Sequence, residues 1–92
     1  MATIEIRKAY TMDSEHLKVE LDDLASKLGD HFSLECCWQS DSCLDFKRSG
    51  AEGQINIDDE EVSIAIQLGF LLNAFKGPIE QEIQDFMDTH IY

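Results

Sequence analysis

Between Leu34 and Ile64 the apolar residues keep to one parity within each of four short runs, and this limits the possible folds more than any other feature. In "LECCWQ" Leu34, Cys36 and Trp38 share a face, and in "CLDFKR" Leu44 and Phe46 do. The next two runs offer Ile55 with Ile57 and Val62 with Ile64. A period of two means strands with one buried face. The turns must keep that face continuous, because a slip of one residue sends every side chain to the other side. A three-residue loop at Ser40, Asp41 and Ser42 pairs Trp38 with Leu44 and Cys36 with Phe46, whereas a two-residue loop would turn Leu44 the wrong way. Ser49-Gly50 is a hairpin signal. It sets Lys47 against Glu52 on the wet face and Phe46 over Gly53, an aromatic covering a strand glycine. A turn at Asp59-Glu60 brings Val62 opposite Ile57 and Ile64 opposite Ile55. Three hairpins agree on one apolar face, which predicts a one-faced antiparallel sheet.

Such a sheet needs a cover. Residues Ile4 to Tyr10 alternate and add a strand at the start. A helix follows, with Asp13 as N-cap and Met12 and Leu17 placed to pack across its entry. Leu17, Leu21, Leu24 and Leu28 recur at helical spacing, with Glu15, Glu20, Asp22 and Asp23 on the wet side and Gly29 as the stop. A last helix opens near Gly77-Pro78 and carries Ile79, Ile83, Phe86 and Met87 as its apolar stripe. The order is β-α-β-β-β-β-α, a two-layer α+β fold with residues 1–92 as a single domain. A chain of this length buries only about 60–65% of its unfolded surface, so its core has little to spare.

Seven bases face nineteen acids, a net charge of −12. A phosphate backbone would be repelled, which argues against nucleic acid as a partner. The N-terminal "MATIEIRKAY" reads neither as a signal nor as a transit peptide, and no apolar run approaches the ~20 residues that span a membrane. Cys36, Cys37 and Cys43 are odd in number and lack CxxC spacing, so they read as free thiols in a reducing cytoplasm. Cys37 should lie beside Asp45 on the wet face, where a carboxylate disfavours a thiolate. His16, His31 and His90 have no ligand spacing, His31 reads as a residue just past the helix end, and "DDEE" at Asp58 to Glu61 reads as a solvated hairpin tip. Neither a metal nor a cofactor is implied, and no nucleophile, base or metal constellation of an enzyme can be assembled.

The feature left over is "LGFLLNAFKGPIE", Leu68 to Glu80, an apolar connector between a strand and a helix. Leu68, Leu71, Leu72 and Phe75 could cap the core. Alternatively Phe70, Leu71, Leu72 and Phe75 could form a contact patch for a hydrophobic surface or partner. A third reading places a small-ligand cavity, for an acyl chain or hydroxyacid, between helices and sheet and lined by Trp38 and Phe46. A homodimer through the connector or an open sheet edge is compatible with either.

Trp38, the "LDFKRSGAEGQI" hairpin with Phe46, Gly50 and Gly53, and "LGFLLNAFKGPIEQEI" resemble the polyhydroxyalkanoic acid system protein family over nearly the whole chain. The resemblance implies a small bacterial accessory protein associated with polyester storage granules, neither synthase nor depolymerase, with no catalytic residue to carry over. Its implied partner is a polyhydroxyalkanoate granule surface or a granule protein. The family's first strand often ends in histidine and its first helix carries an Ala-Arg pair. Here those places hold Tyr10 and Leu17-Lys18.

Overall fold

The computed structural model describes residues 2–92. Five strands and two helices follow in the predicted order: β1 (Ala2–Ala9), α1 (Ser14–Phe32), β2 (Glu35–Ser40), β3 (Cys43–Arg48), β4 (Ala51–Ile57), β5 (Glu61–Leu68) and α2 (Lys76–His90). A 3-10 turn over Phe70–Phe75 joins β5 to α2. The strands form one antiparallel sheet in the order β1-β5-β4-β3-β2, and the fold is α+β.

The expected registers are met. Trp38 pairs with Leu44, Cys36 with Phe46, Lys47 with Glu52, Phe46 with Gly53, Ile55 with Ile64 and Ile57 with Val62. The β2–β3 connection reaches its register by another route. Ser40 pairs with Cys43, so the tip is the two residues Asp41-Ser42, and a bulge between Trp38 and Ser40 absorbs the extra residue. A bulge shifts parity as a longer loop does, and so Leu44 stays on the apolar face.

Ile4, Leu44, Ile55, Val62, Ile64 and Ile66 of the sheet meet Leu17, Leu21, Leu24 and Leu28 of α1 and Ile79, Ile83, Phe86 and Met87 of α2 in one buried cluster. Met12 joins it at the helix entry, whereas Asp13, although at the N-cap position, makes no capping hydrogen bond. Gly29 does not end α1. The helix runs to Phe32, and Ser33 takes the left-handed conformation (φ 61°) while its N–H donates to the Gly29 carbonyl at 3.0 Å. One helical glycine costs only about 1 kcal/mol, and the added turn is held from outside. Phe32 packs on the core, and Arg48 donates through Nη1 to its carbonyl at 2.8 Å. Gly29 is small for a different reason, since a Cβ there would lie 3.2 Å from the Leu34 carbonyl oxygen.

Two histidine–carboxylate contacts tie the helices together. His31 Nδ1 lies 2.6 Å from Glu82 Oε1, and His90 Nδ1 lies 3.2 Å from Glu20 Oε2. Early α1 therefore meets late α2, and the helices run in opposite directions. His31 sits within the last turn of α1, not beyond it, and Glu20 faces α2 where open solvent was expected.

The acidic tip between β4 and β5 is held by its own backbone. The Asp58 carboxylate accepts the N–H groups of Glu60 (2.8 Å) and Glu61 (2.6 Å), and these bonds keep its pKa below the ordinary 3.8. A depressed carboxylate stabilises the folded state above its unfolded pKa, and the contribution fades as pH falls through the lower folded value. Asp58→Asn keeps an acceptor oxygen but cannot titrate. Its acid-unfolding curve is expected to flatten below about pH 4 and to converge with that of the unsubstituted protein, as read by circular dichroism.

Candidate functional site

The connector departs from the rule that a small domain hides its large apolar side chains. β5 carries Leu68 fully into the core, and Gly69 then breaks the strand. The Gly69 N–H donates to the Gly50 carbonyl at 2.7 Å, and the Leu72 N–H to the Gly69 carbonyl at 3.1 Å. These bonds lash the 3-10 turn to the β3–β4 hairpin. Gly50 has φ +86°, and a Cβ there would meet Leu72 Cδ1 at 3.3 Å, so the Leu72 side chain lies directly over that turn. Two glycines far apart in sequence thus let two backbones touch.

The connector residues divide by orientation. Leu72 is half-buried against the core and roots the turn. Phe70 and Leu71 are 85% and 87% exposed, and Phe75 is 46% exposed. Of the four residues read as core caps, then, Leu68 and Leu72 turn inward while Leu71 and Phe75 face solvent. Near-complete exposure of Phe70 and Leu71 means that they project from the surface. The nearby cations are notable in so acidic a chain. Lys47 and Arg48 line one recess with Gly50 and Gly69, and Lys76 begins α2, 3.9 Å from Glu80.

Trp38 and Phe46 are placed differently from the connector and from each other. Phe46 is buried in the core at 1% exposure. Trp38 sits on the outer strand β2 and lines a surface recess with Lys18, Gln39, Ser40 and Asp41. Its indole N–H donates to Asp22 Oδ1 at 3.2 Å, and Lys18 Nζ lies 5.4 Å from the ring centre and 3.0 Å from Asp41 Oδ1. This polar setting favours the connector over an acyl cavity as the candidate site.

Cys36 and Cys43 are held in the thiol form. Burial pushes the Cys36 pKa up to about 11, with the Asp22 charge adding to it, while its Sγ donates to the Ala25 carbonyl at 3.4 Å. Cys43 is raised as well, by burial first and then by Asp45. Cys37 is exposed and pairs across the strands with Asp45. At pH 8 iodoacetamide should label Cys37 ahead of Cys36, whose thiolate fraction is about a hundredfold below that of an ordinary thiol. Peptide mass mapping reads the order, and denaturation should equalise the rates.

The chain matches the model of a protein family, described as "putative polyhydroxyalkanoic acid system protein", over residues 4–91. The chain belongs to this family. No curated protein and no solved structure matches it. Tyr10 and Lys18, the two positions singled out in the resemblance above, both have local partners here. Tyr10 donates its hydroxyl to the Asp58 carbonyl, and its N–H to the Glu60 carbonyl at 3.0 Å, so it holds the β4–β5 tip. Lys18 covers Trp38. Among the described residues no helix is long and apolar enough to cross a membrane, and no group of three or more His, Cys, Asp or Glu is gathered to hold a metal ion.

Sequence reasoning does not find the Gly50–Gly69 contact; the signal that could have found it is a glycine at each end of the β4–β5 hairpin.

Proposed function

We propose that this protein is a non-enzymatic accessory protein of the polyhydroxyalkanoate system that docks on the storage-granule surface through Phe70, Leu71 and Phe75, with Leu72 as the root of the turn. The supporting observation is the near-complete exposure of Phe70 and Leu71 on a turn fixed to the hairpin beneath it. A fixed projection suits insertion into a broad apolar surface, because little ordering remains to be done on contact. A partner's helix would instead need a groove. Burying three such side chains yields about 5–9 kcal/mol before the cost of association, which makes the attachment weak and reversible. The family's description, a polyhydroxyalkanoic acid system protein, supports a polyester as the apolar surface, and on this reading the two meet in the cytoplasm.

The test is co-sedimentation of purified protein with granules, native and stripped of protein. Phe70→Ser/Phe75→Ser should keep its circular dichroism spectrum and lose at least about thirtyfold in apparent affinity, equivalent to roughly 2 kcal/mol. Hydrophobic-dye binding by the folded protein should fall in parallel. Unchanged retention in the double variant would remove the mechanism. Retention only on unstripped granules would replace the polyester surface with a granule protein.

A further inference from the structure

β1 is an outer strand. β5 pairs with one side of it, and among the described residues no backbone or side chain hydrogen-bonds to the other. It is eight residues long, without proline, glycine or register shift. Edges of this kind are templates for pairing with another chain, and folded proteins usually blunt them. The other outer strand, β2, is blunted, being six residues long and bulged between Trp38 and Ser40. β1 has little comparable protection. Lys8, the one charge on its helix-facing side, is engaged by Asp88 of its own α2 at 3.7 Å.

We propose that two copies of this chain pair antiparallel along β1, around a two-fold axis at Ile6, into a continuous ten-stranded sheet. A two-fold relating two antiparallel neighbours runs perpendicular to the sheet, so it must pass through a residue paired with itself. The open-face side chains of β1 are Thr3, Glu5, Arg7 and Ala9, all exposed. Centring on Glu5 sets Glu5 against Glu5, and centring on Arg7 sets Arg7 against Arg7. Centring on Ile4 leaves Arg7 unopposed and shortens the ladder. Centring on Ile6 pairs Glu5 with Arg7 of the second copy, twice, and overlaps residues 3–9. Opposite charges directly across a ladder are favourable and like charges are not, so the charge pattern selects this register. Arg7 is free to take the new partner, because its contact with Glu61 is 3.9 Å long and its side chain is 76% exposed.

The same axis keeps both pairs of helices on one face of the sheet. It also sends the two connectors toward opposite ends, since each begins beside Ala2, the partner of Leu68. Ala2 of one copy and Ala2 of the other lie roughly 27 Å apart along the strand direction at the usual rise per residue.

Sedimentation velocity over a concentration series, at about 0.15 M salt, tests this. At that ionic strength the Debye length of about 8 Å screens the overall negative charge more than the paired side chains. The unsubstituted protein is expected to dimerise. Arg7→Glu should weaken the dimer at least tenfold with its circular dichroism unchanged, and Glu5→Arg/Arg7→Glu, which swaps the charges, should restore it. A monomer at all concentrations would overturn the proposal. So would a dimer indifferent to Arg7→Glu, one lost in Phe70→Ser/Phe75→Ser, which would move the interface to the connector, or one cross-linked through Cys37, which would move it to β2. Granule retention is read separately in Arg7→Glu, which leaves the connector intact and should keep it, so failure of the β1 dimer and failure of granule docking are distinguishable.

Discussion

Phe46→Ala is expected to cost about 3–5 kcal/mol of unfolding free energy, the range for truncating a buried phenylalanine. Phe46 is among the largest fully buried side chains of the protein, at the middle of β3 and between Cys36 and Gly53 of the adjoining strands. A chain of this length has only about 5–14 kcal/mol in all, so the substitution removes a large part of it. Urea unfolding should show the midpoint falling by about a fifth or more at unchanged slope. Phe70→Ala is the control. At 85% exposure Phe70 has almost no burial to lose, and its change should stay within about 0.5 kcal/mol. Equal effects at the two positions would contradict the division into core and projecting aromatics on which the docking site depends.

Gly53→Ala is the second large effect, with the opposite physical cause. A Cβ at this position would lie 2.5 Å from the Ala65 carbonyl oxygen, 2.8 Å from Ile66 Cγ1 and 2.9 Å from Ile66 Cα. Two of these are backbone atoms of β5 and cannot withdraw without opening the β4–β5 ladder. Overpacking typically costs about 1–3 kcal/mol, and a clash with backbone belongs at the upper end. The sequence suggested that Phe46 covers this glycine. The register agrees, but the three atoms nearest a Cβ all belong to β5. Phe46→Ala/Gly53→Ala should therefore be additive, because vacating the phenylalanine frees no space where the methyl needs it. Rescue of Gly53→Ala by Phe46→Ala in urea titrations would show that the aromatic ring is the obstruction.

Most of the sheet could be read directly because strand parity is a strict local code. Leu34 through Ile64 alternate so regularly that each register followed from counting residues between apolar positions. The bulge at β2 was not readable, because a three-residue loop and a two-residue tip with one bulged residue give Leu44 the same partner. The helix continues past Gly29 because glycine weakens a helix by an amount that one outside hydrogen bond, here from Arg48, can offset. The histidines illustrate the same limit. His31 and Glu82 are 51 positions apart, and no periodicity links them.

The apolar connector was visible as an anomaly, but the direction of its side chains was not. Phe70, Leu71, Leu72 and Phe75 have similar hydrophobicity, and a 3-10 turn of six residues is too short for periodicity to assign a face. The Gly50–Gly69 contact, made by residues 19 apart in sequence, decides which of them turns inward. By itself the sequence determined the element order, the registers of the three hairpins from β2 to β5, the one-faced sheet and the family resemblance, because these follow from local alternation and from motif spacing. Only the tertiary structure decided that Leu72 is an anchor while Phe70 and Leu71 project, and that β1 has a bare edge while β2 is bulged. Those properties depend on which distant backbone lies alongside, and the order of residues along the chain does not contain that.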